Sequence, residues 1–109
     1  MSDQVEIVDP VTVRGWVDAG EAVLVDVREL QEYAAEHIRG ALFNPLSTFA
    51  PAQVPNPSDK RLVIHCNSGV RCGMAAARLV ETGWSGKIHR MQGGIQGWKA
   101  TGGPTERGL

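Results

Sequence analysis

RLVIHCNSGVRCGMAAARLVE, residues 61–81, is the stretch whose reading decides the fold. Its opening run, Arg61–His65, is nearly continuous in branched aliphatics, as expected of a strand covered on both sheet faces. Residues 72–81 are Ala-rich and read as a helix, with Met74, Ala75, Leu79 and Val80 as its inward-packing positions and Gly83 as its stop. Between strand and helix lies CNSGVR, residues 66–71. A buried strand that feeds a helix through a short loop is the unit of a parallel α/β sheet, and ligands sit at the carboxyl ends of such strands.

The same alternation extends in both directions. Val5–Val8 reads as a short strand, and Asp9-Pro10 opens a helix carrying Val13, Trp16 and Val17 on one face, closed by Gly20. Residues 22–27, AVLVDV, form a second strongly aliphatic strand, and residues 29–36 a short polar helix. A short strand over 41–43 precedes a loop punctuated by Pro45, Pro51, Pro55 and Pro57, which is expected to hold no regular structure. Residues 87–90 read as a last strand and Gly94–Ala100 as a last helix, followed by a loose tail, TGGPTERGL.

At 109 residues the chain fits one domain spanning 1–109, large enough to bury a core without staples. Net charge is −1 with a pI near 6.3, so no bulk positive field draws nucleic acid or an anionic membrane. The start, MSDQVEIVDP, has neither a basic nor an apolar leader segment, and no apolar run reaches the length of a membrane span, so the expected compartment is the cytoplasm. Cys66 and Cys72 are the only cysteines. They cannot build a disulfide framework, and they lack His partners at zinc-like spacing.

The loop itself points to chemistry. Gly69 permits a bend closed to other residues, and converging amides of residues 67–72 would form a nest for an anion at the positive end of the helix. The anion closest to hand is the Cys66 thiolate, whose pKa such a setting lowers. The thiolate is the nucleophile, so the loop activates it without a side-chain base. The amides would equally hold a persulfide. Arg71 adds a planar donor fork suited to an incoming oxyanion, or alternatively pairs with a helix carboxylate. The candidate site is therefore catalytic Cys66 with Asn67, Ser68, Gly69, Val70, Arg71 and Cys72 binding the substrate. Read alone, Cys66 would be a buried packing residue, since free cysteine is commonly that.

Three separated motifs carry a family resemblance: LVDVRE-x-x-EY-x-x-x-HI-x-GA over 24–41, CNSGVR over 66–71 and MQGGIQGW over 91–98. Together, from about residue 5 to about 104, they resemble a rhodanese domain. The resemblance implies a five-stranded parallel sheet with helices on both faces, and no metal or organic cofactor. It implies a loop cysteine that carries sulfane sulfur from thiosulfate or a similar donor to cyanide or a thiol, with a thioredoxin-like or sulfur-carrier protein as a candidate thiol partner. Tyrosine phosphatases place their Arg one position further from the Cys, around a larger phosphoryl group; here Arg71 follows Cys66 by five. Cys72 stands where the family commonly has Ser or Thr, and Leu30 and Arg39 where it often has Pro. The uncharged Asn67 and Ser68 make thiosulfate a weaker candidate donor than the persulfide is a candidate intermediate.

Other polar residues have structural roles to fill first. Asp26 is expected to cap a turn, Arg28 to pair with Glu32 four residues on, and His37 to make a fixed hydrogen bond. His65 adjoins Cys66 but faces the opposite way, so it is not expected to be the thiol's base. His89 is a minor candidate for the pocket lining. Gly93, Gly94 and Gly97 serve turns and close packing, and Trp98 the core. Two other function classes stay open: a thiol–disulfide redox module using Cys66 and Cys72, and a binding domain with a vestigial loop.

Overall fold

The computed structural model describes residues 4–109. Its strands are β1 (Val5–Val8), β2 (Ala22–Asp26), β3 (Leu42–Phe43), β4 (Arg61–His65) and β5 (Ile88–Met91), all parallel in the order β1-β5-β4-β2-β3. The helices are α1 (Pro10–Asp18), α2 (Leu30–Ala35), α3 (Arg71–Glu81) and α4 (Gly94–Ala100). The aliphatic strands alternate between two cores. Val25, Leu62, Ile64 and Ile88 pack with Ala75, Ala76 and Leu79 of α3, while Leu24, Val63 and Met91 pack with Val13 of α1 and Ile95 and Trp98 of α4. Each fully buried aliphatic in such a core contributes about 1.5–3 kcal/mol. The expected sheet with helices on both faces is therefore present.

Local chemistry explains the element ends. Pro10 presets the first turn of α1, and the Asp9 carboxylate accepts from Thr12 N at 3.2 Å and Thr12 Oγ1 at 2.7 Å. Glu29 and Glu32 form a reciprocal capping box on α2. Leu30, standing where proline is common in the family, takes the first position of that helix, a site that proline also favours.

Several expectations are corrected. Met74 is 55% exposed rather than inward, because α3 starts at Arg71 and its buried stripe runs through Cys72, Ala75, Ala76 and Leu79. The Pro-rich loop holds two short 3-10 turns, Leu46–Thr48 and Pro51–Gln53, and the Asn44 side chain pins it by exchanging two 3.0 Å bonds with Ala50. The tail is not loose. Glu106 and His37 exchange backbone bonds of 2.8 Å, Gly108 N donates to Ala34 O, and the indole of Trp98 donates to Pro104 O at 2.9 Å. A buried indole N–H needs an acceptor, and the tail supplies it. Among the described residues no helix is long and apolar enough to cross a membrane.

Candidate active site

Cys66 follows β4 directly and is 1% exposed. The loop behind it is held by the start of α4: Ile95 N donates to Cys66 O at 2.8 Å and Gln96 N to Asn67 O at 3.2 Å. This close approach requires glycine at 94, where φ is +58° and a Cβ would lie 2.4 Å from Cys66 O. Gly69, at φ +109°, turns the chain back so that its N–H donates to Cys66 Sγ at 3.1 Å. The amides of Ser68 and Cys72 add to the stabilisation of a thiolate there. With carbonyls outward and amides inward, the loop forms the nest that its sequence suggests.

The Cys66 pKa is lowered to about 5. The Cys72 thiol beside it is the main cause, joined by the amides of Cys72, Gly69 and Ser68 against the opposing effect of burial. The Cys72 thiol is pushed in the opposite direction by the Cys66 thiolate and by burial. The pair thus shares one proton, with Cys66 ionising first and Cys72 staying a donor. Cys72 Sγ donates to Gly69 O at 3.3 Å, and this single S–H turns to the neighbouring sulfur when Cys66 ionises. Cys72 is fully buried and faces the reactive sulfur.

The remaining loop positions divide. Asn67 turns its side chain to α4, where Oδ1 accepts from Gln96 Nε2 at 3.0 Å. Ser68 and Val70 are exposed at the rim. Arg71 closes bidentately on Glu32 of α2, with Nη1–Oε1 at 2.7 Å and Nη2–Oε2 at 2.8 Å. This is the helix-carboxylate alternative for that residue, and it holds the Glu32 carboxyl at about 2. The expected Arg28–Glu32 pair does not form: Arg28 precedes α2, so helical spacing does not apply, and its guanidinium grips Asp26 instead, at 2.9–3.2 Å. Asp26 does cap the turn, accepting from Arg28 N at 2.9 Å.

The histidines stand apart from the thiol chemistry. His65 is fully buried on the opposite face from Cys66, with Nδ1 3.3 Å from Cys66 O, and burial lowers its pKa. His37 is fixed between Tyr33 O and Glu106. His89 does not line the loop: strand alternation turns it to the α1 face, where it bonds Leu62 O at 2.9 Å and packs edge-on against Trp16.

Sequence reasoning missed Arg90. It shares a sheet face with Ile88, reaches under the start of α3 and donates from Nη2 to Gly69 O at 2.8 Å. A cavity of about 210 Å³ flanks the loop on this side, lined by Ile7, Ser68, Gly69, Arg90, Gln92 and Gly93 among others. The signal was available, since period-two alternation from buried Ile88 places residue 90 on the side of α3.

The geometry meets its relatives in three comparisons. An uncharacterized protein of Synechocystis is 40% identical over 96 residues, covering 88% of this chain and 53% of that protein. A probable adenylyltransferase/sulfurtransferase MoeZ of Mycobacterium tuberculosis is 35% identical over 94 residues, covering 84% and 24%. The crystal structure of thiosulfate sulfurtransferase from Pseudomonas aeruginosa superposes with a TM-score of 0.79 at 28% identity, over 94% of this chain and 19% of that one. The chain thus spans about half or less of the length of these curated relatives. The rhodanese-like domain family model matches residues 9–101, from the cap of α1 to the end of α4, and to that family this chain belongs.

Proposed function

We propose that this protein is a sulfurtransferase that carries sulfane sulfur as a Cys66 persulfide. The observation that supports it most is the Cys66 sulfur accepting the Gly69 N–H at 3.1 Å inside the amide nest, beside a second thiol that helps to lower its pKa. In the first half-reaction the thiolate attacks the outer sulfur of a donor such as thiosulfate. The Cys66 S–S bond forms, the donor's S–S bond breaks, and sulfite leaves with the bonding pair. In the second, an acceptor thiolate or cyanide takes that sulfur and the Cys66 thiolate is regenerated. Each negative charge formed at the sulfur is met by the same amides, so no step needs a separate base. Similarity to MoeZ, a probable adenylyltransferase/sulfurtransferase, supports the reaction class. The acceptor is cyanide or a thiol, either small or on a protein of thioredoxin-like or sulfur-carrier type.

The adjacency of Cys66 and Cys72 favours a second reading, a redox module closing a disulfide. Intact mass after exposure to thiosulfate separates the readings. Gain of one sulfur on Cys66 is the expected result; loss of two hydrogens indicates the redox module, and no change indicates a binding domain.

A further inference from the structure

The nest works only while its carbonyls point away from the sulfur, and those of residues 66, 67, 69 and 70 each have a donor. Cys66 O and Asn67 O are held by main-chain amides of α4, at 2.8 and 3.2 Å, and Val70 O by Gly73 N at 3.1 Å. Gly69 O alone is held by a cationic side chain, Arg90, at 2.8 Å. Gly69 is also the residue whose N–H reaches Cys66 Sγ. Two features mark Arg90 as placed for this purpose. Its guanidinium lies where a Cβ on Gly73 would come within 2.9 Å of Cζ and Nη2, so the absent side chain opens its path. It has no carboxylate partner among the described residues, and its Nε is buried with none at all. A part-buried cation without a counterion is costly unless the site supplies negative charge nearby.

We propose that Arg90 is a positioning residue for the Cys66 sulfur, fixing the Gly69 peptide and facing the thiol pair with an unneutralised positive charge. The charges around Cys66 single it out. From α3 comes Arg71, which Glu32 of α2 neutralises, together with the protonated Cys72. From β4, His65 sits on the other face. β5 supplies Arg90, which bonds Gly69 O, a carbonyl that the Cys72 thiol also reaches. Arg90 and the Cys72 thiol meet at Gly69 O, at 2.8 and 3.3 Å, so the guanidinium competes for that carbonyl and leaves the Cys72 S–H for the thiolate. The loop's own arginine is spent on architecture, and the electrostatic role passes to a strand residue outside the loop motif. This deepens the persulfide reading, since the same interactions would hold a Cys66 persulfide.

The test does not need sulfur transfer. The rate of Cys66 alkylation by iodoacetamide is followed against pH, with the label located by peptide mass, in wild type, Arg90→Gln and Gly73→Ala. Arg90→Gln removes both the charge and the reach, and its midpoint should rise by about one unit. Gly73→Ala keeps the arginine, favours the helix, and displaces the guanidinium, so its midpoint should rise while its Tm does not fall. An unchanged midpoint in Arg90→Gln, even with a lowered Tm, overturns the proposal. If that variant does not fold, Gly73→Ala decides by the same criterion. Persulfide formation, scored separately by mass, distinguishes failure of this proposal from failure of the sulfurtransferase reading.

Discussion

Arg71 and Glu32 join the active-site loop to α2 through a fork of two bonds, 2.7 and 2.8 Å long. Both side chains are about one-third exposed, so the pair contributes about 1 kcal/mol or less to stability. Its larger effect concerns charge at the loop. Arg71→Ala leaves the Glu32 carboxylate unpaired beside a site proposed to receive anions. That variant should raise the KM for thiosulfate several-fold more than for a neutral sulfane donor, and adding Glu32→Gln should reverse most of the difference. Equal losses for both donors, unrelieved by the second substitution, would assign the pair to structure alone.

The same pair has an acid signature. Glu32 is held at about 2, below its ordinary value near 4.5, mainly by Arg71. A depressed carboxyl contributes stability that is complete above its unfolded pKa and is lost as pH falls through its folded one. Wild type should therefore lose an increment of stability between about pH 4.5 and pH 2, and Glu32→Gln should lack that increment. Urea midpoints across the acid range, compared between the two proteins, read this directly.

Cys66→Ser should abolish sulfur transfer and leave the fold intact, because a hydroxyl without a base is a poor nucleophile. In wild type, persulfide formation should be flat above about pH 6 and decline as the thiolate is protonated through pH 5. Its depressed pKa also stabilises the fold above the unfolded value near 9, a contribution lost as pH falls toward 5. The serine variant should lack this slope in a Tm series between those limits.

The sequence made the sheet readable because β2 and β4 are aliphatic on both faces, and a strand of that composition has to be covered twice. The nucleophile was legible for a related reason: Cys66, Gly69 and Arg71 fall between such a strand and a helix. Partners distant in sequence were not. Glu32 lies 39 residues from Arg71, and His37 lies 69 from Glu106. No local spacing encodes those pairs; the topology brings them together. Met74 was placed inward because the helix was begun at Cys72 and that residue was left out of its inward face. Including Cys72 gives the i, i+3, i+4, i+7 stripe.

Gly94→Ala tests how tightly α4 must seat the loop. Its Cβ would stand 2.4 Å from Cys66 O and 2.5 Å from Asn67 O, backbone atoms that cannot swing aside, at a φ that L residues rarely adopt. Destabilisation of about 2–5 kcal/mol is expected from strain and displacement together. Alkylation of Cys66 should slow at pH 6 even where the variant remains folded. A fully folded variant with wild-type alkylation would show that the α4 contacts do not shape the nest.

Cys72 carries the final prediction. Its thiol is the chief cause of the low Cys66 pKa, so removing the donor and replacing it should have opposite consequences. Cys72→Ala should raise the Cys66 alkylation midpoint and slow transfer near pH 6. Cys72→Ser keeps an O–H donor and should retain most of the turnover. Redox behaviour separates the two donors. Peroxide converts the Cys66 thiolate to a sulfenic acid, and attack by Cys72 sulfur expels water as the Cys66–Cys72 disulfide forms. The raised pKa of Cys72 makes that attack slow, because only its thiolate is nucleophilic. Wild type should therefore accumulate the disulfide over minutes rather than at mixing, and recover with a dithiol reductant. Cys72→Ser should proceed to irreversible oxidation at Cys66. Peptide mapping of peroxide-treated protein decides it: no Cys66–Cys72 disulfide, together with equal activity loss in both proteins, would leave Cys72 as a hydrogen-bond donor alone.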